Sequence, residues 1–126
     1  DVEGEKGFRD REQQVLEELA NEDNVVIATG GGVVLRPQNR TVMSSVSTVV
    51  YLEASLSTLV SRTEGKTKRP LLVGKDVRKV LQEIMAVREP LYHQVADLTV
   101  ASTGGSAKKL AGAIAEKLTA FNKGEP

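Results

Sequence analysis

The chain has 126 residues, 17 of them Lys or Arg and 17 Asp or Glu, so its formal net charge is zero. A chain of this length is one ordinary domain, and its charge balance excludes the broad basic field of a general nucleic-acid binder as well as an acidic solvating tail. It has no cysteine and one histidine, His93, which excludes disulfides, thiolate chemistry and a multi-histidine metal centre built by this chain alone.

In chain order, short β-branched runs alternate with helical segments. Phe8, Val15, Leu16 and Leu19 fall on one face and predict a first helix over residues 8–20. Val25-Val26-Ile27-Ala28-Thr29 reads as a buried strand that stops in Gly30-Gly31-Gly32. Pro37 opens a second helix that runs to about Ser45. Thr48-Val49-Val50-Tyr51-Leu52 is the second strand, and Ser55 caps a short helix to Thr63. Residues 64–74 are polar, basic and rich in breakers, and read as a mobile loop. Asp76 caps the next helix, carried by Val77, Val80, Leu81, Ile84 and Met85 and ended by Pro90. Leu98-Thr99-Val100-Ala101 is the third strand. Ser106 caps a last helix, with Leu110, Ala111, Ile114, Ala115, Leu118 and Phe121 on one stripe. Strands separated by helices predict right-handed crossovers and an α/β fold whose parallel sheet is covered on both faces. Such sheets bind ligands beyond the carboxyl ends of their strands, so the glycine triplet is where a site is expected.

Three features bear on chemistry. A strand running into three glycines lets backbone N–H groups approach a ligand, although a plain tight turn accounts for this feature equally well. Arginines are the second: Arg9 opens the first helix, Arg69 lies in Arg69-Pro70-Leu71-Leu72, and Arg88 lies in Arg88-Glu89-Pro90-Leu91-Tyr92. Guanidinium groups grip carboxylates and phosphates bidentately. Arg88 continues the apolar stripe of its helix, so it is expected to point inward and to need a partner, either a carboxylate such as Glu12 or a ligand. The third is the outcome of a search for the phosphate-binding pattern G-x-x-x-x-G-K-[ST]. Gly65-Lys66-Thr67 has its ending, but the first glycine falls at Val60 and the segment follows a helix instead of a strand. His93 is read as a surface or capping residue, and Lys108, Lys109 and Lys117 as the wet face of the last helix. No apolar run approaches a membrane span and no signal-peptide pattern is read. Two Phe and two Tyr leave little for base-stacking platforms.

Together these residues resemble shikimate kinase. The ordered set is Gly4-Glu5, Gly7-Phe8-Arg9, Glu12, Ala28-Thr29-Gly30-Gly31-Gly32, Asn39-Arg40, Val49-Val50-Tyr51-Leu52, Arg62-Thr63, Arg69-Pro70-Leu71-Leu72, Arg88-x-Pro90-Leu91-Tyr92 and Ala96-Asp97. The match runs from Gly4 to about Val100. The resemblance implies a three-layer parallel sheet of the P-loop nucleoside-monophosphate-kinase type. It also implies Mg²⁺-dependent transfer of a phosphoryl group from ATP to the 3-hydroxyl of shikimate, in cytoplasmic aromatic amino-acid biosynthesis, by an enzyme that is a monomer when complete. By the family pattern Arg9 and Arg88 hold the shikimate carboxylate. Gly31, with Gly30 and Gly32, contacts the ring hydroxyls, and Glu12 positions an arginine and a hydroxyl. Arg69 is the catalytic residue of a lid at about 64–74 and touches the ATP phosphates. Arg62 lies against the adenine, bordered by Ser102 and Thr103. No metal ligand is assigned to this chain.

The departures carry expectations of their own. The family pattern begins with a strand, a P-loop and a helix, then a strand bearing an Asp, and none of these is read in the 126 residues. Asp1 therefore corresponds to a point inside a family member, and the domain over residues 1–126 is expected to be partial. The absent first strand belongs between residues 25–29 and 48–52, so a gap beside apolar faces is expected, along with an inactive and poorly stable isolated chain. The alternatives are another small-molecule kinase of the same fold, resembling gluconate kinase, and a non-catalytic module that binds shikimate through Arg9, Gly31 and Arg88.

Overall fold

The computed structural model describes residues 4–66, 76–102 and 105–124. Its elements are α1 (Gly4–Leu19), a 3-10 turn (Gly31–Leu35), α2 (Pro37–Val46), β1 (Val50–Glu53), α3 (Leu56–Lys66), α4 (Val77–Val95), β2 (Leu98–Ala101) and α5 (Ala107–Asn122). The architecture is α/β, with β1 and β2 parallel and Val50 opposite Leu98. Asp97 fixes that register. Its Oδ2 accepts from the Val49 N–H at 2.7 Å, and its own N–H donates to the Val49 carbonyl at 2.8 Å.

The local signals that start helices do so through hydrogen bonds. Asp76 accepts from the Lys79 N–H at 3.2 Å, Ser106 from Lys109 at 3.1 Å, and Ser55 from Thr58 at 3.1 Å. Each satisfies an N–H that the first helical turn leaves without an intrahelical partner. Pro37 sits in the first turn of α2, where a missing N–H costs nothing.

Five expectations are corrected. Residues 25–29 form no strand: among the described residues the sheet has two strands, and no third ladder offers partners to this run. Val26 is fully exposed and Val25 nearly half exposed, so β-branching alone does not make a buried strand. The first helix buries Leu16 and half-buries Leu19, while Phe8 and Val15 are about half exposed. The loop expected from residue 64 begins later, since α3 continues to Lys66; residues 67–75 lie outside the described residues. Pro90 does not end α4, which runs on to Val95. Proline removes one helical N–H and crowds the preceding turn, but Leu91, Tyr92 and Val95 beyond it pack on the core, and that burial holds the last turn in place. Lys117 also departs from a purely wet face, because its Nζ donates to the Thr99 carbonyl at 3.0 Å.

The core sits where α1, the 3-10 turn, α2 and α4 meet. Leu16, Val33, Val34, Met43 and Val95 are buried there, with Val42, Val49, Leu91 and Tyr92 against them. The turn is the hub, and polar side chains tie it down. Asn39 Nδ2 donates to the Val33 carbonyl at 3.0 Å, and Arg40 Nη1 to the Val34 carbonyl at 2.7 Å. Asn39 is 1% exposed, so Asn39→Ala strands a buried carbonyl. We expect it to cost about 1–3 kcal/mol, read as a lower denaturant midpoint at unchanged slope.

On the outer side, Arg36 joins α2 to α1. Its Nη2 reaches Asp10 Oδ1 at 2.8 Å and its Nη1 donates to Gln13 Oε1 at 2.9 Å. Hydrogen bonds from Lys6 and then Arg36 hold the Asp10 carboxyl below its ordinary range. The stabilisation is therefore present above the ordinary carboxylate pKa and is lost as pH falls through the lowered value. Among the described residues no helix is long and apolar enough to cross a membrane.

Candidate active site

Three elements bring the site together around the glycine turn. From α1 come Arg9 and Glu12, one helical turn apart. Arg9 Nη1 donates to Glu12 Oε1 at 2.8 Å, and Arg9 Nε donates to Glu5 Oε2 at 2.7 Å. The Arg9 and Glu12 side chains are only 16% and 15% exposed. The hydrogen bond that Arg9 donates to Glu12, and then the one to Glu5, raise its already high pKa against the opposing effect of burial. Arg9 is therefore permanently charged and held from two sides, with its guanidinium lying 4.9 Å from the Phe8 ring centre.

The turn supplies the second wall. A methyl group on Gly32 would fall onto the Arg9 guanidinium, and one on Gly31 would stand 2.7 Å from the Tyr92 hydroxyl and 3.3 Å from Arg88 Nη1. A methyl on Gly30 would meet Glu12 at an ordinary 3.9 Å. The second and third glycines thus exist because side chains from α1 and α4 press against bare backbone. The triplet turns the chain, and its bare backbone admits the Arg9, Arg88 and Tyr92 side chains at close range.

The third wall is α4. Arg88 and Tyr92 lie one helical turn apart on the same face. Tyr92 donates its hydroxyl to the Gly31 carbonyl at 2.9 Å. Arg88 is half-buried beside Gly31, and Glu12, the carboxylate partner considered for it, is engaged by Arg9 instead. Among the described residues Arg88 has no hydrogen-bonding or ionic partner. Two guanidinium groups therefore converge on one glycine turn, and one of them is uncommitted. That arrangement suits a small carboxylate.

A second feature lies beyond the carboxyl ends of β1 and β2. A cleft of about 500 Å³ is lined by Glu53, Ala54, Ser55, Leu56, Thr58, Gln82, Met85, Glu89, Ala101 and Ser102. At its edge Arg62 Nη2 donates to Ser102 Oγ at 2.9 Å, across 40 residues of sequence. Four of the ten lining residues, Ala54, Leu56, Met85 and Ala101, are apolar; the lining also holds two carboxylates and no Lys or Arg. Thr103 and Arg69 lie outside the described residues.

Between the two features sits a cluster that the sequence alone did not reveal. Tyr51 stacks on Tyr92 with ring centres 4.8 Å apart and meets His93 edge-on at 5.3 Å. His93 is exposed, in keeping with a surface residue, and its Nε2 lies 3.6 Å from Glu53 Oε2. Burial, then the Glu89 and Glu53 carboxylates, push the Tyr51 hydroxyl up to about 12, and it stays protonated at neutral pH. Ligand atoms of Glu53, Glu89 and His93 lie within 4.8 Å of one another. Magnesium prefers oxygen ligands and water, and the imidazole makes this trio a poor match for it.

The shikimate kinase family model matches residues 1–119. A shikimate kinase of Francisella tularensis subsp. holarctica is 50% identical over 111 residues, which cover 87% of this chain and 63% of the relative. That of Francisella philomiragia is 49% identical over the same span. The shikimate kinase from Acinetobacter baumannii, solved in complex with shikimate, superposes with a TM-score of 0.85 at 36% identity, over 94% of this chain and 66% of that one. The shikimate kinase from Bacteroides thetaiotaomicron gives 0.80 at 27% identity, over 96% and 71%. The chain thus spans 63% of the length of the curated relatives it matches, and it belongs to the shikimate kinase family.

Proposed function

We propose that these residues form the acceptor-binding part of an enzyme that phosphorylates the 3-hydroxyl of shikimate with ATP. The observation that carries this reading is the convergence of Arg9 and Arg88 on the glycine turn. In this reading Arg88 takes the shikimate carboxylate together with the remaining Nη2 group of Arg9. Glu12 locks Arg9 in place and accepts from a ring hydroxyl, and the backbone of Gly30, Gly31 and Gly32 contacts the ring. Positioning of this kind suits phosphoryl transfer, in which orientation and charge neutralisation supply most of the rate.

ATP, when bound, supplies the transferred group. We place its base in the cleft beside Arg62 and Ser102, with Thr103 adjoining. Arg69 as the phosphate-touching residue of a lid, Mg²⁺ as cofactor, the cytoplasmic aromatic pathway and a monomeric enzyme rest on the family resemblance. The 126 residues contain no G-x-x-x-x-G-K-[ST] sequence, and the cleft lining has no cation. We therefore infer that this polypeptide by itself does not turn over; shikimate-dependent ADP release from the purified 126-residue chain contradicts that inference.

A thermal-shift panel on the gene product carrying these residues tests the acceptor. Shikimate is expected to raise the midpoint and gluconate to leave it unchanged, since only a ligand of the native state stabilises it. The reverse order favours a gluconate-kinase-like enzyme. Binding of shikimate without turnover favours the non-catalytic module.

A further inference from the structure

We propose that Tyr92 is a positioning residue for the acceptor site, acting through the peptide that joins Gly31 to Gly32. This rests on the functional reading above. The Tyr92 hydroxyl donates to the Gly31 carbonyl at 2.9 Å, linking residues 61 apart in sequence. A peptide unit is planar, with its N–H opposed to its C=O. Fixing the Gly31 carbonyl toward α4 therefore turns the Gly32 N–H the other way.

That peptide sits between the two guanidinium groups, with Arg88 against Gly31 and Arg9 against Gly32. Its orientation sets where a backbone donor stands relative to both cations. Without the hydroxyl, this peptide is held only by the 3-10 turn that it opens, and its two glycines add little resistance to rotation. The ring itself is held apart from this contact, by stacking on Tyr51 at 4.8 Å and by packing on the core. Tyr92→Phe thus removes the pin and keeps the packing.

The test is Tyr92→Phe in the gene product that carries these residues. The KM for shikimate is expected to rise about three- to tenfold, the effect of one neutral hydrogen bond. The values of kcat and the KM for ATP are expected to stay within about twofold of the parent. Amide exchange at Gly32, followed by NMR without substrate, is expected to accelerate. A role confined to packing predicts instead a lower thermal midpoint with no split between the two KM values. An unchanged KM for shikimate, or equal rises in both KM values, overturns the proposal. If the parent protein shows no shikimate turnover, the functional reading fails and exchange alone decides the pinning. Unchanged exchange at Gly32 then overturns it, and faster exchange in the variant sustains it.

Discussion

Arg88→Ala is expected to lower kcat/KM for shikimate by roughly 100-fold, about 3 kcal/mol, as two charge-assisted hydrogen bonds to a carboxylate are lost. The KM for ATP should change by less than about threefold, because Arg88 faces the glycine turn and is not among the residues that line the cleft. The stability consequence separates Arg88 from Arg9. Arg88 has no carboxylate partner among the described residues, so its removal leaves no acid stranded. Arg9→Ala leaves Glu12, 15% exposed, without its cation, and that variant should lose stability as well as affinity. Arg88→Lys keeps the charge and loses the planar fork, so its loss should fall between those of the parent and the alanine variant. Steady-state kinetics with each substrate varied in turn give the answer. Equal losses toward shikimate and ATP count against the assignment.

Gly32→Ala is the second large effect. The added methyl lands on a guanidinium that cannot simply swing away, because Glu5 and Glu12 hold it by two short hydrogen bonds. Either those bonds break or the turn moves against buried Val33 and Val34. Overpacking of this kind costs about 1–3 kcal/mol, and we expect a fall of roughly 50-fold or more in kcat/KM for shikimate on top of a lower thermal midpoint. Gly112 offers the contrast. It lies within α5 with no atom near its added methyl, so Gly112→Ala should stabilise the protein by about 0.5–1 kcal/mol through helix propensity. A Gly32→Ala variant as stable and as active as Gly112→Ala shows that the turn does not need bare backbone at Gly32.

Part of this fold was readable from the chain because part of it is decided locally. Asp76, Ser106, Ser55 and Pro37 start their helices through contacts within one turn, and such contacts are visible in sequence. Pro90 does not end its helix because the helix continues on the strength of Leu91, Tyr92 and Val95 packing on distant residues. Residues 25–29 carry the composition of a strand, but a strand exists only with a neighbour to pair with. The two arginines could be named from the resemblance, yet their meeting at Gly31 and Gly32 depends on how α1 and α4 cross the turn. Tyr92 carried a usable signal: it follows Arg88 by four residues on a helix, so both had to share a face. Reading Pro90 as a helix end hid that relation. The facing of Glu53, Glu89 and His93 depends on β1 lying beside α4, and no spacing rule reports it.

The most direct test of the account is ADP release by the gene product carrying these residues, with shikimate as the varied substrate. The expected result is saturable release that requires shikimate, is not replaced by gluconate, and collapses in Arg88→Ala through shikimate alone. Release that is independent of shikimate, or that survives Arg88→Ala unchanged, contradicts it.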